Sequence, residues 1–278
     1  MRTKRNDRLP PLTARLLLLI ICFLPCAGRA FAQAQNSGSV EITAQPNRPT
    51  FSTTAEPVQR GVFEIEYGFE AADGHQNING LLKFAVFKNL EFRFLHNPVQ
   101  RDGGVAGLGD CGAGFKYRFV TQTKWLPTLS FLYNATFPTG AEHLGTGAVG
   151  HSFQLLSSKD FGKHHVDLEE AGQILGRPGA RGFDRNYFTA LAYSYQFTKK
   201  WGMTAELAGT SRTNRATPAN LTLLAAPTYS VSSRLVFDAG AYIAGYGSLP
   251  RVTFFGGVTY SVVDLYHLHR AHGSARKN

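Results

Sequence analysis

Charged side chains recur at every second position in several otherwise apolar stretches of this sequence. On neighbouring extended strands, such side chains would lie within about 5 Å of one another, close enough to form acid–base pairs. These pairs could border a narrow polar route and set its charge preference, or they could only brace a wall. The set consists of Glu64, Glu66, Lys83, Glu91, Arg93, Asp110, Lys116, Arg118, Glu206 and Asp238.

Other arrangements that could carry chemistry are weaker. The pairs Glu169-Glu170 and His164-His165 could suggest a metal site, but adjacent residues of a strand point to opposite faces. The same holds for His151-Ser152 as a nucleophile and its base. The glycines of 103–114 precede no helix and therefore form no nucleotide loop. The sequence predicts no catalytic residue, no metal site and no cofactor.

The elements that position the charged set are strands. In 61–71 the residues Phe63, Ile65 and Tyr67 alternate with Glu64 and Glu66, and only a strand sends successive side chains to opposite faces. Repeats of this pattern predict an all-β fold, an antiparallel up-and-down transmembrane β-barrel of about 12 strands, with 10–14 possible. The predicted strands are 61–71, 77–87, 90–97, 107–120, 127–138, 149–160, 164–174, 186–198, 201–211, 219–231, 234–245 and 250–261.

The predicted connections alternate between tight turns and longer links. Outer-membrane barrels keep their short turns in the periplasm and their longer loops outside. An even number of strands then places both ends of the barrel on the periplasmic side. The loops 139–148 and 175–185 are the expected outer gates.

The two faces of the strands favour a membrane barrel over a soluble sandwich. One face is large and aromatic, and the other mixes charges with glycine and alanine. Aromatic residues such as Trp125 and Trp201 fall near strand ends, where an interfacial girdle belongs. The mean hydropathy of −0.16 is compatible with this fold because only one face would meet lipid.

The predicted barrel comprises residues 61–261. The regions outside it have distinct compositions. Residues 1–34 combine a basic start with the apolar run 16–24 and are predicted to be a cleaved signal peptide. They hold six basic residues and one acidic residue, so about +5 of the formal +10 remains and no nucleic-acid partner is implied. Residues 35–60, polar and rich in proline, are predicted to be a periplasmic lead-in, and whether they plug the pore stays open. Residues 262–278 form a polar tail.

Four short blocks, in order, resemble the outer-membrane transporter family named for the MetA pathway of phenol degradation. They are 47–58 (NRPTF and AEPV), 107–119 (GLGD and GFKYRF), 137–140 (FPTG) and 158–162 (SKDFG). The resemblance implies an outer-membrane barrel that passes small hydrophobic or aromatic compounds. The chain departs from the usual end of such barrels, because some eighteen residues follow Tyr260.

These features together predict a non-enzymatic channel or transporter of the Gram-negative outer membrane. Its expected partners are outer-membrane lipid, the barrel-insertion machinery and a small apolar or aromatic solute that crosses by passive diffusion. A structural or adhesion barrel with a filled lumen is the alternative, and a lipid-modifying barrel enzyme is a third class.

Overall fold

The structure, a computed structural model, describes residues 41–246 and 252–269. The predicted signal peptide and the tail residues 270–278 lie outside these residues. The described residues form thirteen strands and no helix. The strands are β1 (Val62–Ala72), β2 (His75–Phe87), β3 (Leu90–Asp102), β4 (Val105–Gly107), β5 (Cys111–Val120), β6 (Thr128–Phe137), β7 (Gly150–Phe161), β8 (His164–Gly176), β9 (Phe183–Gln196), β10 (Trp201–Thr210), β11 (Asn220–Ser230), β12 (Leu235–Tyr246) and β13 (Val252–Asp264).

Alternation of side chains is the reason these segments are strands. Along β10, Met203, Ala205 and Leu207 are exposed, whereas Thr204 and Glu206 between them are buried. Successive side chains of a strand point to opposite faces, so each strand contributes one row to each side of the sheet.

The sheet closes into a ring. Each long strand pairs antiparallel with its neighbours, and β1 pairs with β13 from Val62↔Asp264 onward. The short β4 pairs only with the end of β3 and lies outside the ring. The result is a closed twelve-stranded antiparallel β-barrel with one extra strand, which confirms the predicted fold and strand number.

Several strand boundaries differ from the prediction, among them those of β3 and β13. Strand β3 continues to Asp102 and turns through Gly103 and Gly104 into β4, inside a stretch predicted to be a loop. Both glycines have positive φ, 55° and 91°, the left-handed region that favours glycine. Strand β13 runs three residues past the predicted 261, because Val263 and Asp264 still pair with the start of β1.

The two ends of the barrel have different connections. The end that carries the start of β1 and the end of β13 has the connections 88–89, 121–127, 162–163, 197–200 and 231–234, and we call it the short-turn end. The opposite, long-loop end has the connections 73–74, 103–110, 138–149, 177–182 and 211–219.

The distribution of side chains is inverted relative to a soluble domain. Large apolar residues such as Leu155, Phe254 and Tyr187 are exposed on the outer face, whereas charged residues such as Lys116 and Glu91 are completely buried. An exposed apolar band around a barrel suits contact with acyl chains. In the part of the chain that the structure describes, no helix is long and apolar enough to span a membrane.

Candidate functional site

The barrel lumen contains a segment of the chain itself, residues 41–60, which we call the inner segment. Its two ends meet at the short-turn end, where the Thr43 N–H donates to Gln59 Oε1 at 2.8 Å. Between them the segment reaches the middle of the barrel, where Phe51 packs edge-on against Tyr242 of β12 with ring centroids 5.0 Å apart. The described residues of the predicted periplasmic lead-in, 35–60, thus contact the inner wall, and the periplasmic placement of the lead-in stays a prediction.

Carboxylates of the wall bind the backbone of the inner segment. Glu206 of β10 accepts the N–H groups of Phe51 and Ser52, each at 2.7 Å. A segment without secondary structure has unpaired backbone N–H groups, and buried groups of this kind must find partners. Six further N–H groups bond to wall side chains: Gln45 to Glu64, Asn47 and Arg48 to Glu66, Thr53 to Glu169, Ala55 to Ser158 and Val58 to Glu91.

Two buried lysines bind the carbonyl groups of the same segment. Lys83 Nζ donates to Gln45 O at 2.5 Å and pairs with Glu64 Oε1 at 2.6 Å and with Glu66. Lys116 Nζ donates to the carbonyl oxygens of Thr54 and Glu56, at 3.0 and 2.9 Å. Both ammonium groups also neutralise carboxylates that would be costly to bury alone.

Arg93 and Arg118 occupy different environments. Arg93 is buried on β3, with Nε 3.8 Å from Glu91 Oε1, and its Nε and Nη1 have no hydrogen-bond partner among the described residues. Arg118 lies at the short-turn end, where it pairs with Glu56 of the inner segment and donates to Asn89 Oδ1 at 2.9 Å.

Asp238 holds the turn of the inner segment. Its carboxylate accepts from Nε and Nη2 of Arg48, each at 3.2 Å, while Arg48 Nη1 donates to Asn79 Oδ1 at 3.0 Å. Gly68 and Gly257 make room for this guanidinium, because a Cβ there would lie 1.9 and 2.2 Å from its atoms.

Asp110 does not join this group. It precedes β5 and accepts hydrogen bonds from the N–H groups of Gly140 and Thr146, at 2.8 and 2.7 Å, and from the Thr146 hydroxyl at 2.8 Å. Burial raises its pKa, but these hydrogen bonds outweigh that effect and lower the pKa below its ordinary value. Asp110 thus fastens the loop 138–149, and its place along the lumen stays a prediction.

Most of the predicted lumen residues are buried on the inner wall. They are Glu64, Glu66, Lys83, Glu91, Arg93, Lys116, Glu206 and Asp238. The structure gathers them around the inner segment, so that their partners are largely that segment's backbone. The sequence pattern predicted pairs among these charges and did not indicate Arg48 and Glu56, which lie on the inner segment.

A cavity of about 1130 Å³ lies beside the inner segment at the short-turn end. The inner segment forms one side of it, and β8 to β12 with their turns form the other. Its charged residues are Arg48, Lys199, Lys200, Arg234, His165, Glu41 and Asp167, and its apolar contacts include Pro46, Pro49, Val231 and Val236. Lys199 and Lys200 were predicted only as a tight turn, and Arg234 only as the first residue of a strand, since nothing in their sequence indicates a nearby cavity.

Two polar side chains of β8 on the outer wall, Glu170 and His164, have hydrogen-bond partners. Glu170 accepts a hydrogen bond from the Thr189 hydroxyl at 2.8 Å. His164 of β8 lies 2.6 Å from the Tyr193 hydroxyl, whereas His165 lies between Asp160 and Asp167 on the inner side. The described residues contain no group of three or more His, Cys, Asp or Glu that could hold a metal ion.

A closed barrel with an apolar outer face, short turns beside its termini and a charged lumen defines the class of outer-membrane β-barrels. Comparison with solved structures gives the same fold. An outer membrane channel from Pseudomonas putida F1 has a TM-score of 0.59 at 13% identity and covers 76% of this chain and 99% of that chain.

Two porins share the fold. The NanC porin has a TM-score of 0.56 at 8% identity and covers 72% of this chain and 100% of its own. The KdgM porin, solved with disordered oligogalacturonate, has a TM-score of 0.53 at 13% identity and covers 72% and 99%. No protein-family model matches the chain, and no curated protein matches it. The resemblance to the MetA-pathway family therefore stays a prediction.

Proposed function

We propose that this protein is an outer-membrane channel for small solutes, which cross it by passive diffusion beside the inner segment. The observation that carries the proposal is the cavity of about 1130 Å³ between the inner segment and strands β8 to β12. Ligand sites of proteins commonly measure about 300–1,000 Å³, so this space suits a small molecule. The exposed apolar outer face supports insertion in a bilayer, and the similar solved channels and porins support the class.

The resemblance to the MetA-pathway family supports a small hydrophobic or aromatic solute. The apolar prolines and valines of the cavity are compatible with a ring, while Lys199, Lys200 and Arg234 place positive charge at its mouth. An aromatic solute that carries a carboxylate would satisfy both.

Release of solute from liposomes tests the proposal. Vesicles with the purified barrel are expected to release benzoate and phenol faster than vesicles without protein. Replacing Lys199, Lys200 and Arg234 by glutamine is expected to slow benzoate more than phenol, because the charge attracts only the anion. Rates equal to those of protein-free vesicles for every solute tested would contradict the channel.

A structural barrel with a filled lumen is the second candidate. The hydrogen bonds between the inner segment and nine of the twelve barrel strands would then serve only stability, and the charged wall residues would brace that segment. Exchanging Arg93 and Arg118 for glutamine separates the two roles. We expect altered single-channel ion selectivity if these side chains border the route, and unchanged selectivity if they only brace the wall.

We also propose that the protein has no enzymatic activity and that residues 1–34 are removed on export to the outer membrane. Overexpression is expected to leave lipid A and free fatty acids unchanged. The amino terminus of protein from the outer-membrane fraction is expected to begin after Ala32 or Ala34.

A further inference from the structure

The basic residues at the two ends of the barrel differ in type. At the short-turn end they are mostly lysine. At the long-loop end, the structure describes arginines and no lysine. Lysine is a compact point charge, whereas the planar guanidinium presents a fork of donors that matches a phosphate. This separation of lysine from arginine indicates that the long-loop end has a different anionic partner from the short-turn end.

Five of these arginines lie close together in sequence and space. Four of them belong to the connections on either side of the β9–β10 hairpin, and the fifth lies at the start of β9. All five are exposed, and Asp184 is the only acidic residue in 177–185 and 211–219. We call this group the arginine rim: Arg177, Arg181, Arg185, Arg212 and Arg215.

Hydrogen bonds fix the two connections to each other. Asp184 Oδ1 accepts from Nε and Nη2 of Arg177, both at 2.7 Å, and Asp184 Oδ2 accepts from Asn214 at 2.9 Å. Arg212 Nε donates to Asn214 O at 2.8 Å. The one carboxylate of the region is therefore used to join the loops. Arg181, Arg185 and Arg215 have no carboxylate partner among the described residues.

The rim lies at the level where a lipid headgroup would meet the barrel. Arg185 belongs to the outward row of β9, between the exposed rings of Phe183 and Tyr187. Aromatic residues at strand ends mark the boundary between acyl chains and headgroups. A guanidinium at this boundary can bind a phosphate while the rings contact the acyl chains.

We propose that the arginine rim binds the phosphate groups of outer-leaflet lipid. The proposal rests on the outer-membrane placement given under Proposed function and is independent of solute transport. A basic residue close to an anionic lipid surface contributes about fivefold to affinity. Arg181, Arg185 and Arg215 have no carboxylate partner in the described part of the chain, and the loss of all three should then weaken lipid binding about a hundredfold.

Native mass spectrometry of the detergent-purified full chain tests the rim, with bisphosphorylated lipid A as the probe. The variant R181Q/R185Q/R215Q is expected to bind about a hundredfold more weakly than the unmodified protein. Dephosphorylated lipid A is expected to bind the unmodified protein as weakly as bisphosphorylated lipid A binds this variant. The control K88Q/K124Q/K163Q removes the same charge at the short-turn end and is expected to bind normally. Migration of unheated protein on SDS gels verifies that each variant is folded.

Several outcomes would overturn the proposal: equal affinity of the arginine variant, equal affinity for the dephosphorylated lipid, or an equal loss in the lysine control. Displacement of the lipid by millimolar inorganic phosphate would also do so, since the rim would then be a site for a free anion. If the triple variant fails to fold, R215Q alone, within a loop, is expected to lose about fivefold, and an unchanged affinity would count against the rim. Permeation of liposomes by solute is measured separately and is not altered by these outcomes.

Discussion

Removal of the Glu206 carboxylate is expected to free the inner segment from the wall. Glu206 is buried on β10 and accepts the N–H groups of Phe51 and Ser52, each at 2.7 Å. These residues lie at the deepest part of the segment, farthest from its attachment to β1. The substitution Glu206→Ala deletes both acceptors and offers no replacement.

The size of the effect follows from these two bonds. A hydrogen bond to a charged group contributes about 1.5–3 kcal/mol. The lower value applies because water in the neighbouring cavity can reach the freed N–H groups. Two bonds then amount to about 3 kcal/mol, which changes the ratio of undocked to docked segment about a hundredfold.

Single-channel recording in planar bilayers measures this change. The inner segment fills space in the lumen, so its release should appear as a state of higher conductance. We expect this state to be occupied about a hundredfold more often in Glu206→Ala. Glu170→Ala is the matched control, because it removes the same charge from the outer face, where Glu170 contacts Thr189.

One result would refute the reasoning. If Glu206→Ala folds and shows the same occupancy of the high-conductance state as the unmodified protein, the carboxylate does not hold the segment. An equal increase in Glu170→Ala would attribute the change to net charge and would refute it as well.

Three further predictions concern other parts of the wall. Gly68→Ala places a Cβ 1.9 Å from an atom of the Arg48 side chain and should displace it, which hydrogen exchange should register as faster exchange of amides 45–50. Glu170→Leu should stabilise the barrel by about 1 kcal/mol in urea titrations in liposomes, because a carboxyl group facing acyl chains is unfavourable; an unchanged midpoint would contradict this. Asp110 has a pKa below its ordinary 3.8, so its bonds to loop 138–149 should persist above about pH 4 and be lost as the pH falls through the lowered pKa. Exchange of amides 140 and 146 should rise in that range, and in Asp110→Ala it should be fast at every pH.

The strands were predictable because their signal is local. In β1 and β10, side chains alternate between an outer face that must be apolar and an inner face that can be polar. Consecutive residues of the sequence show this alternation directly. The inward position of Glu64, Lys83 and Glu206 followed from the same alternation. The extension of β3 into β4 was not predicted, because Pro98 and the glycine pair 103–104 are typical of a loop.

The partners of the charged residues could not be predicted from periodicity. Residues 41–60 have no repeating pattern, and their position is determined by wall side chains that lie far away in sequence, such as Glu169 and Asp238. Glu169, like most of the wall carboxylates, binds a backbone N–H group, which every residue but proline has, so no side-chain type in the segment reveals this contact. One sequence signal did exist: the inward acidic residues outnumber the inward bases of the wall, and Arg48 supplies part of the difference.

Residues 41–60 are covalently attached to β1, so they act as a ligand that is tethered to its binding site on the barrel wall. Such tethering produces an effective concentration in the millimolar range, and it does not fall when the protein is diluted. An added peptide or solute with the same intrinsic affinity for Glu206 or Lys116 must therefore exceed millimolar levels to displace them. Molecules present at lower concentrations have to use the space that the tethered residues leave free.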